Sequence, residues 1–191
     1  MRKLFFLNFI FFTIISNYPL NIFAQNRSPA DTFPVPRGNS IRLFYLQRQP
    51  NTNTIVYDLN VKNNKLDADD PVHGYWIRYQ EKGQREELSW IQRTFAYGIH
   101  SKKISDSEYE LNFVSYKKRK FWLEKNQEGF WSVFAKLENG KKIVLKRIYI
   151  QINGGSFWSP NIEYVELKGL EPDTNQEVRE RIQIKKSDAD G

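Results

Sequence analysis

The densest run of side chains able to do chemistry in this chain is Val72-His73-Gly74-Tyr75-Trp76-Ile77-Arg78-Tyr79. On a β-strand alternate side chains leave opposite faces, so Tyr75, Ile77 and Tyr79 share one side while Trp76 and Arg78 share the other. Phenols and an indole offer flat apolar surface with polar tips, and an arginine beside them would meet an acidic head group. Such a run could wall a ligand site. Core packing, with Arg78 in a lateral ion pair, is the simpler account of the same residues. A second cluster is Arg93, Tyr97 and His100. Arg93 and Tyr97 are four apart, lie on one face of a helix, and would make the polar end of a pocket. A cation near a helix C-terminus is also what the helix dipole favours with no ligand at all.

Other chemistries find less support. His73 and His100 are the only histidines and cysteine is absent, so a zinc site would need carboxylates from elsewhere, and neither metal nor cofactor is expected. A hydrolytic triad would have to borrow one of these histidines, yet there is no Gly-x-Ser-x-Gly elbow, and Ser89 and Ser101 qualify only by being near. No pair of carboxylates is singled out. Asp67, Asp69 and Asp70 lack the glycine and distal glutamate of a calcium loop and read as a solvated turn. Asn153-Gly154-Gly155-Ser156 resembles a phosphate cradle, but neither a lysine nor a helix follows. Phe157 and Trp158 come next, two large aromatics in a loop before Pro160. They are a candidate lid, membrane contact or partner contact, unless both rings fold back over the end of the fold. Lys117-Lys118-Arg119-Lys120 and Lys141, Lys142, Lys146 and Arg147 would form a basic edge if their strands meet. Charged edges also simply discourage strand aggregation.

The elements that must position these residues are mostly strands. Short segments rich in aromatic and β-branched residues recur between turn signals, which predicts an all-β, mainly antiparallel domain. Nine strands are expected, near residues 41–47, 54–61, 72–80, 108–116, 119–125, 130–137, 141–152, 162–168 and 177–184. Alternation supports several: Ile55, Tyr57, Leu59 and Val61 share a face, as do Tyr109, Leu111 and Phe113, and Trp131, Val133, Ala135 and Leu137. Asn126 to Gly129 and Glu138-Asn139-Gly140 read as hairpin turns. The apolar phase changes between Leu145 and Ile148, which predicts a bulge near Lys146. One helix is expected over residues 86–97, with Leu88, Ile91 and Phe95 at helical spacing, Glu86 and Glu87 in its first turn and Gly98 after its last. Consecutive hairpin-linked strands favour a meander curled into a barrel or half-barrel, with the helix plugging an end or covering an open face. A two-sheet β-sandwich is the alternative.

The chain's first residues speak to where it works. Arg2 and Lys3 precede an apolar run from Leu4 to Ile15, and Ala24 precedes a cut site, as in a secretory signal peptide. The run is about a dozen residues where a spanning helix wants about 20, so no transmembrane segment is expected after cleavage. Residues 25–39, with Pro29, Pro34 and Pro36, read as a Pro-rich tether into a single domain over residues 40–185, and residues 186–191 as a disordered tail. With no cysteine, the exported fold must be held by packing rather than by disulfides. Five Trp, ten Tyr and fourteen Phe supply large apolar surface for it. The formal charge is +7, and loss of Arg2 and Lys3 lowers it by two to +5. The compartment and the lack of a recognised motif argue against nucleic acid, which leaves anionic envelope components as the acidic partners.

Phe33-Pro34-Val35-Pro36, Leu43-Phe44-Tyr45-Leu46-Gln47-Arg48, Asn51 to Thr54, Tyr75-Trp76-Ile77-Arg78-Tyr79 and Ile91-Gln92-Arg93 with Phe95-Ala96-Tyr97-Gly98 resemble a family of uncharacterised exported bacterial domains, of the domain-of-unknown-function 4833 type. The resemblance spans residues 33–185. It implies an independent, β-rich exported unit and carries over no catalytic residue. From the aromatic-rich meander, its one helix and the Phe157–Trp158 loop, the chain is expected to be a periplasmic or secreted, non-catalytic protein that takes an amphipathic small molecule or lipid in a barrel-like pocket. Tyr75, Trp76, Arg78, Arg93, Tyr97 and Trp158 are its candidate site. The rival is an envelope interaction module with a filled core, binding a protein or anionic glycan through the basic edge and the Phe157–Trp158 loop. A hydrolase built on His73 or His100 is the least supported reading.

Overall fold

The computed structural model describes residues 28–156 and 159–184. The leader, residues 157–158 and residues 185–191 lie outside the described residues, and with them the signal-peptide, aromatic-loop and tail expectations. The first half of the chain forms β1 (Arg42–Arg48), β2 (Asn51–Leu59), β3 (Val61–Lys62), β4 (Lys65–Leu66), β5 (Val72–Ile77), β6 (Arg85–Glu87) and a short helix, α1 (Trp90–Gln92), continued by a wider π-type turn over Arg93–Tyr97. The second half forms β7 (Ile99–Ser105), β8 (Glu108–Phe113), β9 (Tyr116–Lys125), β10 (Trp131–Lys136), β11 (Lys142–Gly155), β12 (Pro160–Leu170) and β13 (Glu177–Gln183).

Eleven of these strands make one mixed, mainly antiparallel sheet in the order β6-β5-β2-β1-β11-β10-β9-β8-β7, curled into a half-barrel, with β12 and β13 continuing from the other edge of β11, while β3 and β4 pair only with each other. The curl follows from the length of β11. Its first residues pair with β10, Phe134 standing opposite Val144, and its middle pairs in parallel with β1, Tyr45 opposite Arg147. Two wings therefore share one edge of β11 and close on each other over a common core. Phe44 stacks on Tyr57 at 4.6 Å, and Phe113 meets both edge-on from the opposite wing, at 6.3 and 5.7 Å.

The bulge expected near Lys146 is present: Leu145 pairs with Gly169 and Arg147 with Lys168, leaving Lys146 as the extra residue. Before it, Ile143 and Leu145 point into the core; after it, Ile148 does, while Arg147 and Tyr149 turn to the outer face. That outer face is covered by the N-terminal segment expected as a tether. Pro29–Thr32 form a 3₁₀ turn capped by Ser28, and Ala30 and Phe33 are buried with Tyr149 and Tyr164. The prolines prevent sheet pairing, as expected, but apolar side chains between and beside them find a surface to bury against. Beneath this strap Arg147, 3 % exposed, bonds the Ala30 carbonyl, Asp31 and Glu166, and Arg179 pairs with Asp31 at 2.7 Å.

The helix differs from its expectation. Glu86 and Glu87 belong to edge strand β6, and helical geometry begins only after Ser89, whose hydroxyl and Gln92 form a reciprocal cap. Residues 86–88 instead pair with or pack against β5, an arrangement for which the charged run Arg85-Glu86-Glu87 carries no apolar signal. Strands β3, β4, β6 and β7 are additions to the expected nine. All are short or edge elements without an apolar stripe; in β7 Ile99 and Ile104 lie on opposite faces.

Candidate functional site

The interior of the half-barrel is filled. Tyr57, Leu123, Val133, Ile143 and Leu145 are fully buried where the wings meet. What the fold leaves open at that end is a cleft of about 80 Å³, lined by His73, Leu88, Arg93, Tyr97 and Asp70 among others. That is well short of the roughly 300–1,000 Å³ of a small-molecule site.

Arg93 and Tyr97 are thus brought together on this cleft, as their four-residue spacing predicts. Tyr97 is buried and its backbone carbonyl accepts a 2.9 Å hydrogen bond from the Tyr57 hydroxyl. Burial pushes the Tyr57 phenol well above its ordinary range and raises that of Tyr97, so both remain protonated at neutral pH. Gly98 closes the π-type turn, and its carbonyl accepts from the Val114 N–H at 3.0 Å. Across the cleft rim His73 Nε2 lies 2.9 Å from Glu87 Oε2, and Glu87 also faces Arg85 and, at 4.0 Å, Arg93. Partial burial works to raise the Glu87 carboxyl, but hydrogen bonds from Arg85 and His73 outweigh it and hold it below its usual range. Among the described residues no group of three or more acidic or histidine side chains could hold a metal ion.

The other candidates go elsewhere. Tyr75 and Trp76 leave opposite faces of β5, and both are buried. Tyr75 donates to Asp58 at 2.9 Å and accepts from Arg42 at 3.2 Å, while the Arg85 guanidinium covers its ring at 3.8 Å. Trp76 packs edge-on against Tyr97 at 5.4 Å, and its indole N–H donates to Gln92 Oε1 at 3.2 Å. That same oxygen accepts from the Ser89 N–H, so Trp76 fastens the helix to the sheet. Arg78 makes two hydrogen bonds to Glu86, at 2.7 and 2.8 Å, beside the Trp76 ring: the lateral ion pair of the simpler account. Trp158 lies outside the described residues.

Helical spacing predicts Ile91 and Phe95 on a buried stripe. In the structure Leu88 alone of that stripe is buried, and Trp90, Ile91 and Phe95 are exposed, Trp90 by 71 % and Phe95 by 54 %. Trp90 and Phe95 meet edge-on at 5.8 Å and form an exposed aromatic prong. Trp90 sits off the stripe, which is the sequence signal for it. The two basic groups lie on β9 and β11, which do not meet: β10 runs between them, with Lys136 opposite Lys142, and the charges are largely neutralised in place. Lys120 pairs with Glu110, Lys142 with Glu124, Lys141 with Glu171 and Arg119 with Glu180. Arg147 is buried under the strap, and burial lowers the Lys146 ammonium pKa. Among the described residues Lys117 and Lys118 have no carboxylate partner, and no helix is long and apolar enough to cross a membrane.

Neither the curated proteins nor the solved structures contain a match to this chain. A family model does match, over residues 44–181, which takes in both wings, the cleft and β12 and most of β13. The chain belongs to the domain of unknown function family DUF4833.

Proposed function

We propose that this chain is an exported, non-catalytic interaction module of the cell envelope that binds a protein partner through the end of its half-barrel. The observation that carries this reading is the pairing of a filled interior with a fixed, exposed aromatic prong. Single exposed apolar residues are ordinary on a protein surface, but two large aromatics in contact with each other make a patch. Here the Ser89–Gln92 cap and the Trp76 indole hold Trp90 and Phe95 outward at no gain to the core. Exposed tryptophan beside arginine is the composition that concentrates binding energy at interfaces. Arg93 and the small cleft beside the prong suit one inserted polar side chain rather than a lipid. Export rests on the composition of residues 1–24, and the absence of disulfide chemistry agrees with a fold held by packing alone.

The test uses the full-length chain expressed with its own leader. Trp90→Ser combined with Phe95→Ser is expected to abolish cross-linking to the partner in intact cells, while circular dichroism and the melting temperature stay as in the parent. An unchanged cross-link pattern overturns the reading. Native and denaturing mass spectra of the purified protein provide the second arm. A clean protein mass is expected, and a released lipid or small acid would return the site to the small-molecule reading.

A further inference from the structure

On the outside of the second wing the alternation of β9 sends Phe121 and Leu123 into the core and leaves Trp122 outward. Its neighbours across the sheet are Phe134 on β10 and Glu110 on β8. A shallow, open groove of about 380 Å³ runs over this face, lined by Trp122, Glu108, Glu124, Lys136, Lys142 and Gly140. This surface is distinct from the barrel end that carries the aromatic prong.

We infer that this groove is a binding site for a neutral oligosaccharide. Three observations point the same way. A partly exposed indole on the polar face of a strand offers what the C–H face of a sugar ring stacks on, a flat apolar surface. The groove walls carry two carboxylates and two ammonium groups, so they offer both acceptors and donors to hydroxyls while their formal charges cancel. A strongly anionic or cationic ligand gains nothing from such a lining, whereas a polyhydroxylated neutral one gains hydrogen bonds in both directions. Finally, the polar groups are unevenly committed. Lys142 is held against Glu124 at 2.6 Å and over the Phe134 ring at 4.2 Å, fixing one wall. Glu108 and Lys136 have no ion-pair partner among the described residues, in contrast to the Lys142–Glu124 pair across the same groove. They flank the indole as an acceptor and a donor ready for a ligand. The glycine at position 140, at the tip of the β10–β11 turn, keeps that end of the groove low.

The experiment is isothermal titration of the full-length chain, as processed by its host, with cellohexaose, maltohexaose and chitohexaose up to about 10 mM. At least one hexasaccharide is expected to saturate, with an affinity that stays constant between about 50 and about 500 mM salt. Trp122→Ala should weaken binding by about tenfold or more, and Trp122→Phe should recover most of it, because the platform and not the indole N–H carries the contact. Glu108→Gln together with Lys136→Gln, two changes at solvent-facing positions, should weaken binding several-fold and guards against a folding defect in Trp122→Ala. Trp90→Ser/Phe95→Ser should leave sugar binding intact, which separates this site from the barrel-end reading. Saturation by none of the three sugars, undiminished binding by Trp122→Ala, or binding that fades with salt each overturns the inference.

Discussion

A Cβ built on Gly98 would come within 1.9 Å of the Arg93 carbonyl oxygen. The backbone there is in an ordinary extended conformation, so the glycine is required for close approach and not for an unusual φ. Gly98→Ala must push the π-type turn off the sheet, loosening Tyr97 and with it the Tyr57 hydrogen bond. We expect a loss of about 1–3 kcal/mol, read as a lower urea midpoint, together with faster amide exchange over residues 90–98. Tyr57→Phe probes the same joint from the other side. It leaves the Tyr97 carbonyl buried without its donor, and should cost about 1–2 kcal/mol by the same measurement. Residue-scale features are unevenly legible in the sequence. The Arg93–Tyr97 pairing follows from helical spacing, and the Arg78 ion pair is the plainer of two readings. Trp122 is not among the candidate residues, although an aromatic on the polar phase of an alternating strand is the signal for it. The denser aromatic run at Tyr75 and Trp76 gives the stronger signal, yet the fold uses that run for packing. The prong is half legible, because Trp90 falls off the helical stripe but its partner does not. Ile91 and Phe95 satisfy helical spacing, and spacing cannot say whether a stripe meets a core.

At the scale of elements, the N-terminal strap is the piece whose attachment depends on charge. Asp31 of the strap faces Arg179 on β13 and Arg147 on β11, while Glu166 on β12 shares Arg147 and Glu177 shares Arg179. The Arg179 hydrogen bond, aided by Arg147 and opposed by burial, holds the Asp31 carboxyl below its usual range. A carboxylate with a depressed folded-state pKa contributes its full stabilisation above its unfolded value and loses it as the pH falls through the folded one. The strap should therefore stay docked from neutral pH down to about pH 4 and loosen below it. Hydrogen exchange at residues 28–33, followed downward from pH 7, should show protection falling in that acid window, and Asp31→Asn should show the weakened protection already at neutral pH. Unchanged protection in Asp31→Asn would mean that Phe33 and Ala30 hold the strap alone. The bulge at Lys146 is readable from sequence because one inserted residue is what flips the apolar phase inside a continuous strand. The strap is not, because proline spacing reports what cannot pair and says nothing about what can pack. Edge strands β6 and β7 escape for the reason they are tolerated as edges: polar, short and without an apolar face.

For the whole molecule, the question is whether two wings hung on one strand behave as one unit. The answer lies in Phe113, which belongs to β8 yet packs edge-on against Phe44 and Tyr57 of the other wing and against Phe121 of its own. A core shared in this way couples the wings, because neither can expose its inner face without stripping the other. Unfolding should be a single transition, with tryptophan emission and far-ultraviolet circular dichroism superimposing along one urea curve. Phe113→Ala should move both probes together, by about 3–5 kcal/mol, because it opens a cavity at the junction and not within one wing. Two separated transitions, or a shift confined to one probe, would show that the wings are independent and that the half-barrel is held chiefly by β11. Meander and half-barrel are both legible from hairpin signals and strand spacing. The parallel β1–β11 pairing, which joins the wings and makes Phe113 a shared residue, is not, since pairing across a separation of about a hundred residues leaves no local trace. That pairing is also what fills the interior, by bringing the aromatic faces of both wings into one space.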